Sequence, residues 1–133
     1  MLSKRLEQVA SMVTKGNIIA DIGTDHGYVP IYLVEKGICP KAYAMDINQG
    51  PIESAIKNIE NYGLSEKIQA IKSNGLEKLE PEKADTIIIA GMGGELIVNI
   101  LENGLAKLEN CSRPVKELVL SPHKRGDLVR KYL

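Results

Sequence analysis

The sequence predicts an α/β protein with a doubly wound, mostly parallel sheet, and three observations support this fold class. Short apolar runs that suit strands alternate with amphipathic helical patterns along the 133 residues. The run 87–90 is apolar on both faces, which a sheet residue tolerates when helices cover both sides. Each predicted strand is followed by a loop rich in glycine, aspartate, asparagine or proline, and ligands of such sheets bind at the carboxyl ends of the strands.

The individual elements follow from periodicity and from turn residues. Apolar residues at helical spacing predict an amphipathic N-terminal helix over about residues 2–15, before a sheet core over about residues 17–133. Strands are predicted at 18–20, 42–45, 68–72, 86–90 and 118–120. Helices are predicted from Pro30 to Gly37 and from Gly50-Pro51 to Gly63, with a proline in each first turn, and over 97–108.

Composition excludes several classes of protein. Lysine and arginine together number 17, as do aspartate and glutamate, so the chain is neither histone-like nor an acidic tail. Hydrophobic residues make up 44%, which argues against disorder. The chain has five tyrosines and no phenylalanine or tryptophan, which disfavours a platform for single-stranded nucleic acid. No apolar run approaches the roughly 20 residues that span a bilayer, so no membrane association is expected.

The cysteines and histidines predict neither a disulfide nor a metal site. Cys39 and Cys111 are far apart, without Cys-x-x-Cys spacing, and free thiols suit a reducing cytoplasm. His26 and His123 are the only histidines, and no further ligands occur at suitable spacing around them. Residues 113–133 hold six basic and two acidic residues, which indicates either a polyanionic partner or a solvated helix face.

The loop 21–27, Asp-Ile-Gly-Thr-Asp-His-Gly, follows the first predicted strand. A dinucleotide fingerprint, Gly-x-Gly-x-x-Gly, would have glycine where this chain has Asp25. A carboxylate there repels a pyrophosphate, so a nicotinamide or flavin dinucleotide is disfavoured. S-adenosylmethionine has a positive sulfonium and no phosphate, and it suits this loop. Asp46 ends the second strand, where an acid commonly binds ribose hydroxyls. Both aspartates could instead simply terminate strands.

Two further loops are candidate parts of the site. Asn74-Gly75 could offer an amide to an adenine ring, or form a simple Asn-Gly turn. Gly91-Met92-Gly93-Gly94 is not a phosphate-binding P-loop, because no Gly-Lys-Ser/Thr follows. Its glycines imply positive φ or a close backbone approach, either to form a wall for a flat base or to pack a helix on a strand.

Four motifs stand out along the chain: Leu-Ser-Lys-Arg-Leu at 2–6, Ala-Asp-Ile-Gly-Thr-Asp-His-Gly-Tyr-Val-Pro at 20–30, Gly50-Pro51 and Ile-Ala-Gly-Met-Gly-Gly at 89–94. Together they resemble the bacterial tRNA (adenine-22-N1)-methyltransferase family, TrmK, over essentially the whole chain. The resemblance implies a Rossmann-like class I methyltransferase domain over residues 1–133 that uses S-adenosylmethionine to methylate N1 of an adenine in the D-loop region of tRNA.

The resemblance also implies roles for individual residues. Asp25 is expected to be the catalytic acid that stabilises the methylated, cationic ring. The expected cofactor-binding residues are Asp21, Gly23, Thr24, Asp46, Ile47, Asn74, Gly75, Ala90 and Gly91. The expected contacts to the RNA substrate are Gly91, Met92, Gly93 and Gly94 at the target base, and Lys4 and Arg5 at phosphates.

Two departures from the family pattern concern the C-terminal part. Ser121-Pro122-His123 stands where the family often has Gln-Pro-Asn. The family continues into a strand pair and a helical, coiled-coil-like region, whereas this chain ends at Leu133, predicted to lie inside a helix. We therefore expect a truncated domain without the final strand pair and without the C-terminal helical region, in which strand five is an unprotected edge.

Three other functions stay open on the sequence. They are an NAD-dependent oxidoreductase, a methyltransferase acting on a protein or small molecule, and a nucleotide- or RNA-binding module without catalysis. The oligomeric state and the precise target nucleotide are also left open.

Overall fold

The computed structural model describes residues 2–122 and 128–132. Its elements, in chain order, are α1 Lys4–Ser11, β1 Ile19–Ile22, α2 Tyr28–Glu35, β2 Ala42–Asp46, α3 Gln49–Asn61, β3 Ile68–Lys72, β4 Thr86–Met92, α4 Gly94–Glu109, β5 Glu117–Pro122 and β6 Val129–Tyr132. They form one six-stranded sheet in the order β3-β2-β1-β4-β5-β6, with β6 antiparallel to β5 and all other neighbours parallel. The predicted fold class is confirmed.

Apolar layers cover both faces of the sheet. Alternate residues of β4 show this, because the side chain of Ile88 belongs to one core cluster and those of Ile87 and Ile89 to the other. The first cluster packs α1, α2 and α3 on the sheet, and the second packs α4 and the turn after β3. The prediction that helices flank this strand on both sides is therefore confirmed.

The observed boundaries differ from the predicted ones mainly at the carboxyl ends of strands. β1 continues to Ile22 and β4 to Met92, because parallel pairing with neighbouring strands runs on into the first turn residues. α1 ends at Ser11, several residues earlier than predicted. α2 and α3 each begin two residues before their proline, so Pro30 and Pro51 still lie in first turns.

The C-terminal segment corrects one expectation. Residues 129–132 form β6, which pairs with β5 in the register Leu120↔Val129 to Glu117↔Tyr132. The predictions that this segment is helical and that β5 is an edge were therefore wrong. Among the described residues one strand, and not a pair, follows β5. Pairing satisfies the outer backbone groups of β5, and it lets Arg130 reach the buried carboxylate of Glu117, with Nε 2.9 Å from Oε2. His123 lies outside the described residues.

The described residues also bear on the membrane, metal and cysteine expectations. Within residues 2–122 and 128–132, no helix is long and apolar enough to cross a membrane. The same ranges contain no group of three or more histidine, cysteine, aspartate or glutamate side chains arranged to hold a metal ion. Cys39 is buried, Cys111 is partly buried, and both are free thiols.

Candidate functional site

A cleft of about 550 Å³ lies at the carboxyl ends of β1, β2 and β4, and we call it the rim cleft. β1 pairs with β2 on one side and with β4 on the other, so the strand order reverses its direction at β1. Open α/β sheets bind their ligands at such a switch point. The rim cleft brings together most of the predicted site residues: Arg5, Asp21, Gly23, Thr24, Asp25, Asp46, Ile47, Ala90, Gly91 and Met92.

The turn after β1 is built from residues with positive φ. Gly23 has a φ of 75° and Gly27 a φ of 78°. The N–H groups of Gly23 and Thr24 both donate to the carbonyl oxygen of Met45, at 2.8 and 2.9 Å, which fixes the turn on the end of β2. A Cβ on Gly27 would lie 3.2 Å from the Cβ of Ala55, so glycine also permits α3 to approach. At Gly23 the space of a Cβ is occupied by the terminal methyl of Met92.

Asp25 is the residue of this turn with the most ligand-accessible charge. Its φ of 59° is unusual for a residue other than glycine. Its side chain is 69% exposed at the mouth of the rim cleft, 3.7 Å from Nε2 of His26. Its backbone N–H donates to Oδ2 of Asp46 at 3.1 Å. The local backbone is therefore held while the carboxylate itself stays available to a ligand.

Asp46 presents a fixed carboxylate to the rim cleft. It is only 8% exposed, and its two oxygens accept the backbone N–H groups of Asp25 and Asn48, both at 3.1 Å. Each carboxylate oxygen has a further lone pair. Such an anchored acceptor, next to the exposed side chain of Ile47, suits a pair of hydroxyls on a ligand with an apolar ring beside them.

Asp21 lies beneath the glycine turn and is 4% exposed. Burial raises the pKa of its carboxyl to about 7, against the opposing hydrogen bond that Thr24 Oγ1 donates at 2.9 Å and with a further upward contribution from the charge of Asp46. Near neutral pH this carboxyl is thus poised between its two protonation states. A cationic group in the cleft would favour the charged form.

The structure does not bring Asn74 and Gly75 into the rim cleft. They line a separate cavity of about 380 Å³ between the turn after β3 and α4, and of the residues around it Leu96 also lines the rim cleft. The carbonyl of Asn74 accepts the N–H of Glu77 at 3.2 Å, and Gly75 has a φ of 59°. This geometry favours the simple turn that the sequence left as an alternative, and a contact of Asn74 with a cofactor stays a prediction.

The glycines at the junction of β4 and α4 fall into two groups. Gly91 has a φ of 77°, as a bulge in the β4–β5 pairing requires. Gly93 and Gly94 do not have positive φ, and a Cβ on either would meet nothing within 4 Å. Neither positive φ nor helix-on-strand packing therefore explains these two glycines, and a close approach of a flat base to them stays a prediction. They leave an open surface at the start of α4.

The two basic residues of α1 are placed differently. Lys4 is exposed and does not line the rim cleft. Arg5 lines it, and its Nη2 donates to the carbonyl of Ser121 at 3.2 Å, which ties α1 to the end of β5. A phosphate contact by either residue stays a prediction.

Sequence reasoning missed the surroundings of His26. Its Nδ1 lies 2.8 Å from Oγ of Ser54, and its carbonyl accepts the side-chain amide of Asn58 at 2.9 Å. Its ring lies next to that of Tyr28, with centroids 5.2 Å apart. The available signal was the spacing of four between Ser54 and Asn58, which puts them on one face of α3.

Comparison with known proteins decides the family. Residues 2–133 match the family model described as a methyltransferase domain. The chain belongs to the methyltransferase-domain family. It is 42% identical over 132 residues to the tRNA (adenine(22)-N(1))-methyltransferase of Bacillus subtilis (strain 168). The aligned residues make up 99% of this chain and 54% of that protein.

Solved structures agree with this methyltransferase-domain assignment. A Streptococcus pneumoniae protein crystallised with S-adenosyl-L-methionine is 51% identical, with a TM-score of 0.87 over 94% of this chain and 57% of that one. TrmK of M. capricolum in complex with S-adenosyl-homocysteine is 41% identical, with a TM-score of 0.79 over 90% of this chain and 51% of that one. The predicted resemblance to TrmK is confirmed, and the chain spans about half the length of these relatives.

Proposed function

We propose that this chain is the cofactor-binding and catalytic domain of a tRNA (adenine-22-N1)-methyltransferase. The observation that carries the proposal is the exposed Asp25 carboxylate in a left-handed turn of the rim cleft, beside the anchored carboxylate of Asp46. Acids in this position suit a cationic, phosphate-free ligand. The similarity to the B. subtilis enzyme supports tRNA as the substrate, and a cytoplasmic location follows from that role.

The residues of the rim cleft fit S-adenosylmethionine. When bound, this cofactor supplies a methyl group activated on a sulfonium. We assign Asp46 to the ribose hydroxyls, Ile47 to one face of the adenine, and Asp21, Gly23 and Thr24 to the methionine end. Ala90 and Gly91 form the floor at the end of β4. Two related structures hold S-adenosyl-L-methionine and S-adenosyl-homocysteine, and they support this choice of ligand.

The chemistry at the target base assigns a task to Asp25. Adenine N1 lies on the Watson–Crick edge, so the base must leave its pair and enter the cleft. Methyl transfer to N1 makes the ring cationic, and a nearby carboxylate stabilises that developing charge. The exposed carboxylate of Asp25 is available for this, and the open surface of Gly93 and Gly94 leaves room for a base. Most of the rate enhancement then comes from alignment of the reacting atoms.

The test is methyl transfer from radiolabelled S-adenosylmethionine into unmodified tRNA, followed by nucleoside analysis. We expect 1-methyladenosine, and a loss of about 100-fold in kcat for Asp25→Ala. Its affinity for S-adenosylhomocysteine, measured by calorimetry, should stay within about 3-fold, because Asp25 lies at the cleft mouth. Glu60→Ala, which removes an exposed acid of α3 away from the rim cleft, is the matched control and should behave as wild type.

Two results would contradict the proposal. Failure of the wild-type chain to bind S-adenosylhomocysteine would overturn the cofactor assignment. Unchanged turnover in Asp25→Ala would remove this residue from the mechanism.

A further inference from the structure

Two aromatic side chains at the mouth of the rim cleft are exposed without belonging to the core. Tyr28 is 45% exposed and the side chain of His26 is 48% exposed, and neither is a member of the two core clusters. Both line the rim cleft next to Asp25. Both rings are therefore accessible to a ligand in the cleft, and each offers a flat face to it.

The His26 ring has two neighbours that hold it in place, Ser54 and Tyr28, and the backbone of His26 is fixed by a third residue, Asn58. Oγ of Ser54 lies 2.8 Å from its Nδ1, and Asn58 donates to its carbonyl at 2.9 Å. The Tyr28 ring lies 5.2 Å away, centroid to centroid, with an interplanar angle of 32°. An exposed ring that is fixed in this way loses little conformational freedom when a flat ligand stacks on it.

We infer that His26 and Tyr28 form the surface on which the target base stacks while Asp25 faces its reacting edge. The inference rests on the proposed function and deepens it by naming base-positioning residues. A platform for a nucleic-acid strand needs several rings, but a single base rotated out of its stack needs only one or two.

The chemistry of the product strengthens the choice of a tyrosine. A base methylated at N1 is a cation, and a cation is attracted by the electron-rich face of a phenol ring. The 3.7 Å separation between Nε2 of His26 and Oδ1 of Asp25 places the carboxylate beside the same surface. The Tyr28 ring and the Asp25 carboxylate would therefore both stabilise the charge that appears during methyl transfer. Removal of either group would lower kcat.

The kinetic test compares variants of Tyr28 and His26 with a control variant of Tyr132, an exposed tyrosine outside the cleft. Tyr28→Ala should lower kcat/KM for unmodified tRNA by about 5- to 100-fold, the usual range for one lost base stack. Tyr28→Phe keeps the ring and should stay within about 2-fold. His26→Ala should lower kcat/KM, and Ser54→Ala should do so to a smaller extent, because Ser54 acts only by orienting His26.

The control is Tyr132→Ala, which removes a tyrosine that is 69% exposed on β6, far from the cleft residues in the sheet order. It should behave as wild type. All variants should bind S-adenosylhomocysteine within about 2-fold of wild type. Failure of wild type itself to bind this ligand would overturn the proposed function, whereas normal binding with unchanged turnover in Tyr28→Ala would overturn the stacking surface alone.

A second measurement does not depend on turnover. The chain has two histidines, five tyrosines and no phenylalanine or tryptophan, so its aromatic proton NMR spectrum is simple. In protein saturated with S-adenosylhomocysteine, titration with 1-methyladenosine should shift the ring signals of His26 and Tyr28 and leave those of Tyr132 in place. Shifts that spare both rings at the cleft mouth would overturn the inference.

Discussion

At the amino end of the sheet the buried carboxylates are paired with arginine, whereas those at the carboxyl end face only hydroxyl and backbone donors. Asp85, 2% exposed, accepts two hydrogen bonds from the Arg113 guanidinium, at 3.1 and 2.9 Å, and one from the N–H of Ile18. Glu117, 1% exposed, accepts from Thr14, Thr86 and Arg130. These two side chains therefore fix the amino ends of β4 and β5 to neighbouring segments of the protein.

The carboxyl end has the opposite character. Asp21 accepts from the hydroxyl of Thr24, and Asp46 accepts from two backbone N–H groups. Among the described residues, no lysine, arginine or histidine forms an ion pair with either. Burial of charge without a cation is costly, so the charged form of Asp21 lowers stability unless a ligand compensates. The carboxylates at the amino end thus stabilise the fold, whereas those at the carboxyl end are available to a ligand.

The largest expected effect is on stability at the amino end. Although burial opposes ionisation, hydrogen bonds from Thr14 and Thr86 and the charge of Arg130 outweigh it and lower the pKa of Glu117. Glu117→Ala removes the hydrogen-bond acceptor of Thr14, Thr86 and Arg130 and should reduce the free energy of unfolding by about 3–5 kcal/mol. Urea denaturation measures this change. Glu117→Gln keeps an acceptor and should lose less. A loss below about 1 kcal/mol in the alanine variant would show that this end of the sheet does not depend on the pair.

The second largest effect is the pH dependence of stability that Asp21 causes at the carboxyl end of the sheet. The pKa of Asp21 is about 7 in the folded protein, above its ordinary value of 3.8, so the native state binds the extra proton between these values. Stability from this group is therefore present at low pH and is lost as the pH rises toward 7. Asp21→Asn should remove this loss and gain on the order of 3 kcal/mol relative to wild type between pH 4 and pH 8. Urea denaturation at both pH values measures it, and parallel stability profiles would refute the assignment.

The smallest expected effect is on binding at the carboxyl end. Asp46→Ala should weaken binding of S-adenosylhomocysteine by about 10- to 150-fold, because hydrogen bonds to a charged group contribute about 1.5–3 kcal/mol. Calorimetry measures the affinity, and folded Glu117→Ala should bind within about 2-fold of wild type. Equal affinity in Asp46→Ala and wild type would show that the ribose assignment is mistaken.

Much of the fold followed from local patterns, but its C-terminal part did not. The strand at 87–90 was predictable because its residues are apolar on both faces, and Pro30 and Pro51 marked first turns. Residues 129–132 carry no comparable pattern. Their pairing with β5 depends on Arg130 meeting Glu117 and Thr14, and Thr14 is 116 positions away in the chain. Contacts of such long range leave no local periodicity.

The candidate site was predictable where residues follow strands directly. Asp21, Asp25, Asp46 and Gly91 lie together because the carboxyl ends of parallel strands share one edge. The separation of Asn74 from the rim cleft could not be predicted, because it depends on how the turn after β3 packs against α4. The contacts of His26 likewise depend on the docking of α3.

The hydrogen bond between Arg5 and Ser121 has a consequence for how the protein forms. It joins the first helix to the fifth strand across 116 positions, and Arg5 itself lines the rim cleft. In a parallel sheet the chain loses the entropy of closing long loops before contacts between distant strands stabilise the structure, so such sheets fold slowly. During synthesis on the ribosome Arg5 can therefore be fixed at the edge of the cleft only after β5 has emerged, and until then the apolar strands of the unfinished sheet are prone to aggregate.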